Sequence, residues 1–151
     1  MSAPTTEATP LEIFSEWQRR QSAGDFEHLG EVVDLEGFRD ICIGLSGWTT
    51  GYQAALQNLT RNILTPLADW RATVEDIVEG KDAVVVRQHA EAKHVGEFLG
   101  VPATGRRVSW DVLSAVKVKD GKVVENLTML DLWGIYLQLT APTPDQAQAE
   151  K

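Results

Sequence analysis

Between residues 84 and 130 the chain holds three successive runs whose side-chain character alternates with a period of two, the periodicity of strands. They cover 84–94, 108–118 and 123–130. Asp120-Gly121 separates the last two and is a strong two-residue hairpin signal. A looser alternation covers 71–78, and the 100–107 loop joins two neighbouring runs. Strands joined this closely pair antiparallel, so the C-terminal half reads as a meander.

The N-terminal half has a different period. Pro10 sits where a helix can begin, and Leu11, Phe14 and Trp17 recur at helical spacing with Ile13 widening the stripe. Gly24-Asp25 closes that helix, and a second short helix is expected over 26–33. Gly44, Gly47 and Gly51 bracket a loop carrying Trp48. It leads into an amphipathic segment, 52–64, with Ala55, Leu56, Leu59 and Ile63 on one side. Thr65-Pro66 ends it, because a residue before proline avoids helical geometry. A closing helix starts at Leu132, with Asp131 placed either to cap it or to act chemically. Helices followed by a meander make an α+β domain over 10–140. The flanks 1–9 and 141–151 have almost nothing to bury and read as disordered tails.

Strand parity separates the faces. Val84, Val86, Gln88, Ala90, Ala92 and His94 share one face of their strand; Arg87, His89, Glu91 and Lys93 share the other. Small and polar residues among the valines leave room for a cavity on the first face. Trp110 and Ser114 share a face in the next strand, opposite Asp111, and Asn126 aligns with Thr128 in the third. An apolar pocket with few polar groups suits a hydrophobic small molecule. Trp48, Tyr52, Trp110 and Trp133 are candidate flat surfaces for an aromatic ligand.

Composition excludes several classes. A net charge of −8 argues against nucleic-acid binding, which needs a basic face. The single cysteine, Cys42, permits no intrachain disulfide and reads as a small core residue of a cytoplasmic protein. No run is long and apolar enough for a membrane span, and no signal peptide is evident. His28, His89 and His94 lack zinc-type spacing, and neither a G-x-S-x-G elbow nor a G-x-G-x-x-G loop is present. Acid–base chemistry remains, with Asp111, Asp131 and His94 as the candidate catalytic residues nearest the expected pocket.

His94-Val95-Gly96, the 102–107 loop, Asp120-Gly121-Lys122, and Asp131 followed by Gln138-Leu139 carry a family signature. From about residue 11 to 139 the chain resembles the SnoaL-like polyketide cyclases, within the nuclear transport factor 2-like fold. The resemblance implies a cone of curved antiparallel sheet closed by N-terminal helices around a deep pocket. It also implies a homodimer or homotetramer and an aromatic polyketide substrate with no bound cofactor. The founding cyclases close a ring by aldol condensation. Their strand Gln and His fall here on Val112 and Ser114, and their second His and acid–base Asp fall on Asn126 and Thr128; none is retained.

The 44–51 segment, Trp110-Asp111 and the 131–136 segment are similar to the cofactor-free hydroxylase branch of anthracycline tailoring. There a separate NADPH-dependent short-chain reductase reduces the substrate, which itself activates dioxygen. On that resemblance the expected activity is a polyketide hydroxylase component. In it Ser114, Asn126 and Thr128 orient substrate and Asp111 or Asp131 manages protons. Two alternatives stay open: an aldol-type cyclase or isomerase with relocated acid–base residues, and a non-catalytic ligand-binding or dimeric interaction module.

Overall fold

The computed structural model describes residues 6–149. Helix α1 (Pro10–Ala23) forms where a capping box and proline coincide. The Thr9 side chain accepts from the Glu12 backbone N–H at 3.2 Å, and Glu12 returns a carboxylate to the Thr9 N–H at 2.8 Å. The helix buries Ile13, Phe14 and Trp17 and ends at Gly24. The expected helix over 26–33 shortens to a 3-10 turn, Leu29–Glu31. Strand β1 (Arg39–Ile43) and the two-residue β2 (Thr49–Thr50) follow. Helix α2 (Tyr52–Leu59) passes into a π-helical turn, Thr60–Leu64, before Pro66.

The expected meander is present as β3 (Leu67–Glu79), β4 (Ala83–His94), β5 (Arg107–Lys119) and β6 (Lys122–Leu130). Helix α3 (Leu132–Thr140) closes the fold. In the expected tail, Pro144–Ala149 forms a fourth helix, α4, that buries nothing. Residues 1–5, 150 and 151 of the expected tails lie outside the described residues.

One sheet contains all six strands in the order β2-β1-β6-β5-β4-β3, and it is not antiparallel throughout. Strand β1 lies parallel to β6, with Asp40 opposite Asn126 and Cys42 opposite Thr128. Periodicity detects strands but does not report their pairing, and β1 reaches β6 across the whole intervening meander. Among the described residues, no helix is long and apolar enough to cross a membrane.

Beyond Leu130 strand β6 no longer covers β5, and α3 takes over. Gln138 of α3 accepts the Ser109 backbone N–H (3.0 Å) and donates to the Ser109 carbonyl (2.7 Å), as a neighbouring strand would. Arg106 donates to the carbonyls of Gln138 and Ala141, both at 2.8 Å, and satisfies the orphaned end of α3. Two apolar clusters result. One packs Ile13, Phe14 and Trp17 of α1 with Phe38 and Tyr52 against Val84, Val86 and Val116. The other gathers Ile63, Leu67, Phe98, Trp110, Leu130 and Ile135 at the far end of the sheet.

The β5–β6 turn places Asp120 at φ 53° and Gly121 at φ 75°, both left-handed as its tight geometry requires. A Cβ at Gly121 would meet nothing within 4 Å, so any cost of Gly121→Ala comes from the backbone. We expect Gly121→Ala to lower unfolding free energy by about 1–2 kcal/mol in urea denaturation, with the m-value unchanged.

Candidate active site

A cavity of about 210 Å³, open to solvent, lies between the two clusters and is lined from both. Helix α1 contributes Phe14, Trp17, Gln18 and Gln21, and the α2 segment contributes Tyr52, Asn58 and Asn62. The sheet contributes Asp40 and Cys42 from β1, Trp70 from β3, Gln88 from β4, Val112 and Ser114 from β5, and Asn126 and Thr128 from β6. The walls are mainly apolar, and the polar groups gather at one corner.

Asp40 is the one acidic side chain lining the cavity among the described residues. Parallel pairing sets it beside Asn126, whose Nδ2 donates to Asp40 Oδ1 at 2.9 Å. The same amide donates to Thr128 Oγ1 at 3.1 Å, and the Thr128 and Ser114 hydroxyls lie 3.4 Å apart. Burial raises the Asp40 carboxyl above its ordinary value, and the Asn126 bond opposes that shift in part. Cys42, two residues on, is pushed up to about 11 by burial and then by the Asp40 charge, so it stays a thiol near neutrality. It packs against the far core cluster, as expected of a small core residue, and also lines the cavity.

Tyr52 also lines the cavity. Its hydroxyl accepts from Trp17 Nε1 at 2.9 Å and donates to Gln21 Oε1 at 3.3 Å. Burial raises the Tyr52 phenol, so it remains a neutral donor.

Of the expected substrate-binding residues, Tyr52, Ser114, Asn126 and Thr128 line the cavity. Trp110 is buried just behind it, edge-to-face with Trp70 at 4.9 Å, and Trp70 presents the ring surface instead. Trp48 is 47% exposed, and the Arg39 guanidinium lies 4.3 Å over its ring. Trp133 is 66% exposed and stacks on Tyr136.

None of the three expected acid–base residues reaches the cavity. Asp111 is on the outer face of β5, its side chain 61% exposed and 2.9 Å from His89 Nδ1 across the strand pair. Asp131 is outside too; its carboxylate accepts the Gly134 N–H at 2.9 Å and caps α3. His94 is fully buried at the far end of β4, where Nδ1 accepts the Thr104 backbone N–H at 3.1 Å. The neutral ring therefore carries its proton on Nε2. Burial lowers its pKa, opposed in part by the backbone carbonyls of the Gly96 and Val101 segments as acceptors for the ring. His94 thus pins the 100–107 loop.

Asp40 escaped the sequence reading because β1 is short and isolated between helical segments. Its signal is in Arg39-Asp40-Ile41-Cys42-Ile43, where period-two alternation sets Asp40 and Cys42 on one face and two isoleucines on the other.

The fold and cavity together define a small α+β domain that presents a desolvated carboxylate, amide and hydroxyl groups to an apolar ligand space. The chain belongs to the SnoaL-like polyketide cyclase family, whose model matches residues 17–139. It is similar to aklanonic acid methyl ester cyclase DnrD of Streptomyces peucetius, 40% identical over 52 residues, or 34% of this chain and 36% of that protein. The chain spans about a third to a half of the length of the curated relatives it matches. IdmH of Streptomyces antibioticus, a candidate polyketide cyclase, superposes with a TM-score of 0.70 at 28% identity, over 87% of this chain and 99% of that one. AclR of Streptomyces galilaeus, a candidate hydroxylase, shares the fold with a TM-score of 0.65 at 23% identity, over 87% and 95% of the two chains.

The raised pKa of Asp40 has a thermodynamic sign. The folded state holds this proton more tightly than the unfolded chain does, so stability falls as pH rises through the folded pKa. Asp40→Asn removes the buried charge and keeps an acceptor for Asn126. Its melting temperature is expected to exceed that of wild type at pH 7, with the difference vanishing below the ordinary aspartate pKa of about 3.9, as differential scanning fluorimetry across pH would read.

Proposed function

We propose that this protein closes a ring in an aromatic polyketide by acid–base catalysis, with Asp40 as the base. The observation that carries this is a desolvated carboxylate facing an apolar cavity. In that setting Asp40 is a stronger base than a surface aspartate. It removes a proton from a carbon next to a carbonyl, leaving an enolate. The enolate carbon attacks a second carbonyl of the same molecule, one carbon–carbon bond forms, and the new alkoxide takes the proton back from Asp40. On substrate binding the Tyr52 hydroxyl turns its one proton from Gln21 to the developing oxyanion, while Trp17 keeps donating to its oxygen. No electrons leave the substrate, so the step needs no redox cofactor. The names of the methyl ester cyclase relatives support the same class of reaction.

Hydroxylation with a partner reductase has less support from the geometry. Trp48, Asp111 and Trp133, which suggest it in the sequence, stand outside the cavity, although Leu45 and Ser46 line it. A homo-oligomer is supported by an apolar stripe on the outer sheet face that includes Ile43, Met129, Leu113 and Val85. Light scattering after size exclusion should give a mass at least twice that of the 16.7 kDa chain.

Incubation with aklanonic acid methyl ester is expected to give cyclised product without oxygen or reductant. Asp40→Asn should lower kcat by about 100-fold or more, since a positioned base typically contributes 10²–10⁴. In wild type, kcat/KM should rise with pH through a pKa above the ordinary aspartate range. Hydroxylated product formed only with a reductase, NADPH and oxygen would establish the other reaction. Ligand binding without turnover under either condition would leave a binding module.

A further inference from the structure

Gln88 occupies the middle of the inner face of β4, opposite Val112 on β5 and Val74 on β3, and it lines the cavity. Its neighbours on that face, Val84, Val86, Ala90 and Ala92, are all buried. Other lining amides are engaged: Asn126 with Asp40 and Thr128, Asn58 with Thr49 and Arg61, Gln21 with Tyr52. The Gln88 side chain has no hydrogen-bond partner among the described residues. Gln18 and Asn62 also have none, but they stand on the helical side rather than on the sheet. Gln88 itself is half-buried, so its unpaired carboxamide faces the cavity and is free to bond whatever fills it.

Its place says what that is. Asp40 aligns through Asn126 and Val116 with Val84 on β4, and Gln88 is four residues further along. Three strand spacings, about 14 Å, and four residues of strand, about 13 Å, separate the two backbone positions. Asp40 and Gln88 are thus at opposite corners of the inner face, with the Thr128 and Ser114 hydroxyls on the diagonal between them and Val86, Val112, Val116 and Leu130 flanking it. Trp70, braced by Trp110, adds ring surface at the Gln88 end.

We infer that Gln88 is a specificity-determining residue that hydrogen-bonds a polar substituent at the end of the substrate remote from Asp40. This deepens the acid–base reading, resting on it only in taking Asp40 as the reacting end. The feature this residue reads is a hydroxyl or carbonyl on the ring of the substrate remote from the reacting end.

The test uses emodin and chrysophanol, two anthraquinones that differ by one phenolic hydroxyl, titrated against the tryptophan fluorescence of the full chain. Wild type should bind emodin up to roughly tenfold tighter, about the upper worth of one neutral hydrogen bond. Gln88→Leu should bind both alike and melt at a higher temperature, because a purely structural amide would lower it. Equal binding by wild type, an unchanged ratio in Gln88→Leu, or a fall in its melting temperature would each overturn the inference. Failure of wild type to bind either compound would remove the aromatic substrate class and the inference with it. Full ring closure by Asp40→Asn, with the emodin preference still lost in Gln88→Leu, would end the proposed mechanism and leave the role of Gln88 standing.

Discussion

The parallel seam between β1 and β6 is the constraint on which the site depends. Five residue pairs, Arg39–Ile43 against Glu125–Met129, carry a short strand to the edge of a meander formed by a distant part of the chain. That pairing brings Asp40 level with Asn126 and Cys42 level with Thr128. A one-residue slip would turn the carboxylate toward the outer face. The acid–base character of the cavity is therefore a property of register as much as of residue type.

The space in front of that carboxylate comes from two cores that do not merge. Helix α1 and Phe38 fill one end of the sheet, Trp110 and α3 fill the other, and the small or polar residues between them leave the gap. Were a cavity of about 210 Å³ sealed and empty, its cost would be on the order of 5 kcal/mol, comparable with the whole stability of many domains. Opening to solvent lets water occupy it and relieves most of that cost. The half-buried Asp40, with one Asn126 bond against its desolvation, and the side chain of Gln88, with no protein partner, are polar groups placed where apolar ones would pack better. Such placements collect where a ligand completes them.

Much of the fold is legible in the sequence because local patterns set it. The 84–94, 108–118 and 123–130 alternations are each observed as strands to within a residue or so, and Asp120-Gly121 is a tight turn. Of the inner face of β4, Val86 and Gln88 line the cavity, whereas the small Ala90 and Ala92 are packed into the far cluster. The candidate site is less legible, because it depends on non-local pairing. Asp111 has the parity of the outer face, as its alternation with Trp110 and Val112 already implies. Asp131 is a cap because it immediately precedes a helix. The family signature residues His94, Thr104, Arg106 and Gln138 recur in structural roles, pinning a loop and docking a helix, rather than in the cavity. A motif strong enough to name a family need not contain its chemistry.

The Gln138–Ser109 clamp has a consequence for behaviour at high concentration. Where β6 stops, the far end of β5 would present free backbone donors and acceptors, a template onto which another chain could add a strand. The carboxamide of α3 occupies that template with a group that cannot propagate pairing. The closing helix is thus a plug against intermolecular β-addition as well as a lid on the core. In this fold, solubility and the docking of the last helix are coupled through one side chain.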